Sequence, residues 1–199
     1  IVPDFALNRR YGCGSPVSKA NLSAGQTLVD LGCGTGVELF MAAEALGNSG
    51  RGVGIDMTAG MIELAKEASG HVHEKLGFNN IHFAVGHLED IPLPHGFADV
   101  VISNCVVNLS MNKRKVFSEM LRILKPGGRL LISDVVCETE APLEIRTDPK
   151  LSGECLGGAL RQDYLFSMIR DIGFTDSFMI NRFPYRDVGG HQFFSLTFQ

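Results

Sequence analysis

Between residues 27 and 136 the chain alternates short apolar runs with stretches of helical period. Residues 27–31, 52–55, 81–85, 98–103 and 129–136 read as strands. The run at 98–103 is apolar throughout, as expected of a strand covered on both faces. Helical spacing marks 37–46, with Leu39, Phe40, Ala43 and Leu46 on one face. It recurs at 59–76, 113–124 and 163–172. Thr58 stands where a helix cap belongs, and Gly77 and Pro126-Gly127-Gly128 stand where helices stop. Two further strands, 177–182 and 192–198, follow with no helix between them, which predicts an antiparallel pair. The expected fold is α/β: a Rossmann-like, doubly wound, mostly parallel sheet with an antiparallel C-terminal hairpin. The least regular stretch, 138–160, follows the fifth strand, so it should overhang the carboxyl ends of the strands, where such sheets bind ligands.

Composition narrows the function. The 199 residues suit one domain with one core, and 45% of them are hydrophobic. The formal net charge is −4, and Lys113-Arg114-Lys115, the nearest thing to a basic cluster, reads as a solvated helix face. Nucleic acid is therefore a poor partner. No apolar run approaches the roughly 18 residues of a membrane span, and no signal-peptide pattern opens the sequence. Five cysteines, an odd number without zinc-finger spacing, argue against a disulfide scaffold and for a reducing, cytoplasmic setting.

The first strand runs into Asp30-Leu31-Gly32-Cys33-Gly34-Thr35-Gly36. Glycines at these positions let the backbone turn tightly and approach a ligand. Asp56, 20 residues after Gly36, ends the second strand and can accept hydrogen bonds from ribose hydroxyls. A dinucleotide site is the obvious alternative, but its glycines are spaced G-x-G-x-x-G and hold a pyrophosphate. Here the spacing is G-x-G-x-G behind Asp30, a carboxylate that repels pyrophosphate and suits a cationic amine.

That combination resembles motif I of the class I methyltransferases. Gly86-His87-Leu88-Glu89-Asp90-Ile91-Pro92 falls where that family reads adenine, with His87 at a position where relatives often carry an acid. Leu124-Lys125-Pro126-Gly127-Gly128 looks like the family's turn before the fifth strand. The resemblance implies one S-adenosylmethionine-dependent domain over residues 1–199. It implies cofactor contacts from Asp30, Gly32, Gly34, Gly36, Asp56, Met57, Leu88, Glu89 and Asn104.

Three cysteine segments bear on the acceptor. Tyr11-Gly12-Cys13-Gly14-Ser15-Pro16, Ser103-Asn104-Cys105-Val106-Val107-Asn108-Leu109 and Gly153-Glu154-Cys155-Leu156-Gly157-Gly158 resemble those of the arsenite methyltransferase family. By that resemblance Cys105 and Cys155 ligate trivalent arsenic, and Cys13 completes the set or serves a thiol–disulfide relay. A thiol reductant, thioredoxin or glutathione, is then consumed. The segment 1–25 and the loop 138–160 are expected over the acceptor. The chemistry is coherent, since thiolates are the soft ligands that suit arsenic. Its lone pair also needs no general base, whereas an oxygen acceptor needs a positioned one. Among the histidines, His87 and His191 are the candidates for such a base. Cys33 and Cys137 read as a small loop residue and a core residue. A small organic acceptor, such as a quinone precursor, and a non-catalytic metalloid sensor are the alternatives.

Overall fold

The structure, a computed structural model, describes Val2 and residues 13–199. Tyr11, Gly12 and most of the segment 1–25 ahead of Cys13 lie outside the described residues.

Five parallel strands form the body of the sheet: β1 (Thr27–Leu31), β2 (Arg51–Asp56), β3 (Ile81–Val85), β4 (Ala98–Asn104) and β5 (Leu124–Cys137). The helices between them are α1 (Val37–Leu46), α2 (Ala59–Leu76) and α3 (Lys113–Ile123). Beyond β5 come the short helices α4 (Leu143–Thr147) and α5 (Pro149–Gly153), the two-residue β6 (Leu160–Arg161) and α6 (Gln162–Ile172). Strands β7 (Met179–Val188) and β8 (His191–Phe198) close the chain. The sheet order is β3-β2-β1-β4-β5-β8-β7, with β6 on the end of β5. Strand β8 runs antiparallel to β7, as the missing helix between the last two strands implied, and it is also antiparallel to β5.

Alternation along the central strands explains why both faces are covered. Leu28, Val100, Ile102 and Leu131 pack with residues of α1 and α2. Their neighbours Val29, Val101, Leu130 and Ile132 point the other way, into a cluster with α3 and α6. Successive strand residues face opposite sides, so strands buried on both must be apolar at every position. Asp30 breaks that run with a carboxylate at 2% exposure, a cost that needs a compensating role.

Several elements differ from the sequence pattern, each for a physical reason. Strand β5 starts at Leu124, which pairs with Ala98, while Arg129 pairs with Val100, so the Pro126-Gly127-Gly128 turn is a bulge inside the strand. Strand β7 runs to Val188 through Pro184, because an edge strand tolerates a residue without an N–H. The three elements α4, α5 and β6 are too short to carry a readable period. Thr58 does hold the cap position of α2, yet its hydroxyl makes no capping bond. Lys113 is half-buried, unlike the exposed Arg114 and Lys115, and its ammonium donates to the carbonyls of Asn108 (3.3 Å) and Ser110 (2.8 Å).

Candidate active site

Strand order reverses at β1, whose neighbours are β2 on one side and β4 on the other. Connections leave such a point in opposite directions and open a crevice at the carboxyl ends. Leu31 pairs with Ser103, and Asn104 pairs with Ser133. The glycine loop after β1 and the cysteine segment after β4 are therefore neighbours.

A cavity of about 340 Å³ fills this crevice, lined by Asp30, Gly32, Gly34, Asp56, Met57, Leu88, Glu89, Asn104 and Cys105, with His87 and Cys33. Gly36 stays out of the lining. At φ +86° it opens α1, and a Cβ there would meet Phe83 at 2.6 Å, so its part is packing. Gly32, at φ +75°, leaves no room for a Cβ either, which would sit 2.5 Å from Val106. A Cβ on Gly34 would meet nothing within 4 Å, which leaves that backbone open to a ligand.

Charge defines what the cavity accepts. Asp30, Glu38, Asp56 and Glu89 line it, and among the described residues no lysine or arginine does. Burial, then repulsion from Glu38 and Asp56, pushes the Asp30 carboxyl well above its usual range. A cation placed here would relieve that cost, whereas a pyrophosphate would add to it. Asp56 is held by the backbone N–H groups of Gly34 (3.0 Å) and Thr58 (2.9 Å). Ser110 donates its hydroxyl to Glu89. Val37, Met61, Val106 and Leu109 supply apolar wall. An acid cluster beside a glycine-lined opening and an apolar wall fits a nucleoside that carries a cationic sulfur and an amine.

The three cysteines meet at the edge of this cavity. Cys13 and Cys105 form a disulfide across 92 residues, with 5.7 Å between their Cα atoms. Cys155 donates its thiol to the carbonyl of Cys105 at 2.9 Å. Cys105 and Cys155 adopt φ of +58° and +65°, left-handed values unusual for residues with a Cβ. Such backbone strain persists where surrounding contacts over-determine the position, and it clusters at functional sites. Burial pushes the Cys155 thiol up to about 12, helped by the charge of Asp134 and opposed by that of Lys113.

Each cysteine is held by contacts with distant parts of the chain. Asn104 accepts the Cys13 N–H (3.1 Å) and donates to the Gly14 carbonyl (2.8 Å). Ser195 donates to the Cys13 carbonyl. Glu38 accepts from the Ser15 hydroxyl and from the Val17 N–H, which pins the following turn, Pro16–Lys19, to α1. On the opposite side Gly158 passes so close to the turn Val107–Leu109 that a Cβ would lie 2.0 Å from the Asn108 carbonyl. Glu154, next to Cys155, pairs with Arg186 of β7.

Sequence reading missed Asp134. It is buried, and its carboxylate lies within 4.8 Å of the Cys13 and Cys105 sulfurs. It accepts the Asn108 N–H (3.2 Å), the Asn108 amide (2.9 Å) and the Val135 N–H (2.7 Å). Burial raises its carboxyl to about 6, against the lowering pull of these donors and of Lys113. Its sequence signals were a carboxylate inside an apolar strand and the segment Ser133-Asp134-Val135, which adds to the arsenite methyltransferase resemblance. Cys137 packs in the same buried apolar cluster as Cys13 and Cys155. Its thiol lies on the Ala159 carbonyl at 3.8 Å, and His191 packs edge-on against Phe193.

Residues 22–173 match the model of a methyltransferase domain family. An arsenic(III) S-adenosylmethionine methyltransferase from Chlamydomonas reinhardtii, known from its crystal structure, is 36% identical and superposes with a TM-score of 0.91. The match covers 99% of this chain and 69% of that one. This chain belongs to the arsenic(III) methyltransferase family.

Curated arsenite methyltransferases agree. The protein of Aquipseudomonas alcaligenes is 39% identical over 96% of this chain, and the human one 36% identical over 96%. The match spans 58% and 54% of those two relatives, so this chain corresponds to about half the length of each. Family membership fixes the class I methyltransferase fold. It also gives the convergence of Cys13, Cys105 and Cys155 a chemical context.

Proposed function

We propose that this chain transfers a methyl group from S-adenosylmethionine to trivalent arsenic held by Cys13, Cys105 and Cys155. The observation that carries the reading is the position of Cys105. It lines the cofactor cavity, is bonded to Cys13 and accepts the Cys155 thiol on its carbonyl. One residue thus joins the donor site to the thiol cluster.

Asp30, Gly32, Gly34, Asp56, Met57, Leu88 and Glu89 are the residues to hold the cofactor. Gly36 shapes the start of α1, and Asn104 serves both sides, lining the cavity while it grips Cys13 and Gly14. Bound there, S-adenosylmethionine supplies an electrophilic methyl on a sulfonium. Asp30 and its acidic neighbours favour a positive ligand, and the apolar wall excludes water from it. The cysteines hold arsenic as soft ligands, and most of the rate comes from positioning.

The Cys13–Cys105 disulfide is the oxidised end of a relay. A thiol reductant, thioredoxin or glutathione, opens it before arsenic binds. Free buried thiols at Cys33, Cys137 and Cys155 suit a reducing cytoplasm. No helix among the described residues is long and apolar enough to cross a membrane. Residues 1–199 act as one domain, and the Cys13 segment and the 138–160 loop flank the acceptor.

The test is a cysteine series. Reduced parent chain, Cys105→Ser and Cys155→Ser are each given arsenite and S-adenosylmethionine, and S-adenosylhomocysteine release is followed. The parent should turn over only with arsenite present, and both variants should lose that turnover. Full activity in Cys155→Ser would overturn the ligand set.

A further inference from the structure

We propose that the buried carboxylate of Asp134 stabilises the positive charge that arrives on arsenic during methyl transfer. The inference rests on the arsenic reading above and assigns that site a residue outside the thiol set.

Charge bookkeeping creates the need. Arsenic bound by three thiolates is neutral and carries a lone pair. That pair forms the As–C bond, the S–C bond of the sulfonium breaks, and its electrons remain on sulfur as a neutral thioether. Arsenic goes from the III to the V state and takes over the positive charge. A fixed anion beside arsenic therefore favours the transition state over the ground state, the condition under which a contact accelerates a reaction.

The geometry supplies that anion. The Asp134 carboxylate lies within 4.8 Å of the sulfurs of Cys13 and Cys105. Three donors from Asn108 and Val135 fix its orientation, so it needs no reorganisation when charge develops. The Asn108 amide is itself tied to the Val135 carbonyl at 2.7 Å. Lys113 acts on Asp134 through its charge, while its hydrogen bonds go to the Asn108 and Ser110 carbonyls. Asp134 is not needed as a proton acceptor, since the attacking pair bears no proton.

The experiment compares Asp134→Asn and Asp134→Glu with the parent chain, all reduced and loaded with arsenite. Single-turnover methyl transfer in Asp134→Asn should fall by about a hundredfold, the scale for one preorganised electrostatic group. Bound arsenite per chain should not change, and Asp134→Glu should recover part of the rate. A second readout needs no turnover. Without arsenite, the Cys155 thiol of Asp134→Asn should react faster with iodoacetamide, because a charge that disfavours the thiolate has gone. Asp134→Ser, which lets water meet the Asn108 donors, makes the same comparison if the amide variant folds poorly. An unchanged transfer rate in folded, arsenite-loaded Asp134→Asn overturns the proposal, as does loss of arsenite binding, which assigns Asp134 a structural part. A parent chain that cannot methylate arsenite fails the underlying reading instead.

Discussion

Asn104 grips the chain on both sides of the Cys13–Gly14 peptide, accepting the Cys13 N–H at 3.1 Å and donating to the Gly14 carbonyl at 2.8 Å. One amide at the end of β4 thus sets the position of a cysteine 91 residues earlier. Removing it should loosen Cys13 while leaving Cys105 in place. Two hydrogen bonds of about 1 kcal/mol each amount to about thirtyfold in the docked population. Asn104→Leu should slow Cys13–Cys105 disulfide formation by that order, as followed by thiol trapping. An unchanged rate would move Asn104 to a purely cofactor-binding role.

Gly158 sets the approach of the Cys155 loop. A Cβ there would overlap the backbone carbonyl of Asn108, which has no flexible end to yield. Gly158→Ala should therefore push the loop outward and weaken arsenite binding, while S-adenosylhomocysteine affinity stays at the parent value. Calorimetric titration of both ligands checks the pair of outcomes. Equal loss of both affinities would point to a general folding defect.

The raised carboxyl of Asp30 gives cofactor binding a pH dependence of definite sign. Burial and the acids Glu38 and Asp56 favour its protonated form in the empty cavity, and a cation favours the ionised form. Cation binding therefore releases a proton, and affinity for S-adenosylmethionine should rise with pH above the ordinary value of 3.8. Asp30→Asn should bind more weakly and with a flatter profile. A steep profile that survives in Asp30→Asn would assign the proton elsewhere.

Glu119 on α3 ties that helix to the segment after β3 that lines the cavity. It accepts from Arg122 (2.6 Å), Lys115 (3.1 Å) and the Ile91 N–H (3.1 Å). Arg122 and then the other donors hold its carboxyl down, from 4.5 to about 2. A depressed folded-state value gives stability that is present above 4.5 and lost as the pH falls towards 2. Urea midpoints of the parent should drop across that window, and those of Glu119→Gln should be lower at neutral pH and change less. Parallel curves would show that Glu119 contributes nothing to the acid limb.

Much of the fold was legible because its signals are local. Periods of two and of 3.6 mark β1 to β5 and the helices between them, and the glycine spacing marks the turn between β1 and α1. The site was legible only in part. Cys13, Cys105 and Cys155 were named through family resemblance, and their spacing alone carries no such information. Asn108 and Asp134 stood in segments that resemble the family but carried no assigned role, and Ser195 gave no signal, because each acts through contacts that the sheet order creates. Ser195 reaches Cys13 only because β8 inserts beside β5. The 138–160 loop gave no pattern because α4, α5 and β6 are held by long-range ties such as Arg182–Glu138 and Arg186–Glu154.

The most direct measurement follows the methyl group itself. Reduced chain is incubated with arsenite and S-adenosylmethionine carrying a deuterated methyl, and the arsenic species are separated and weighed by mass spectrometry. The account predicts deuterated methylarsenic formed in step with S-adenosylhomocysteine. Unmethylated arsenic alongside a deuterated organic acceptor would contradict it.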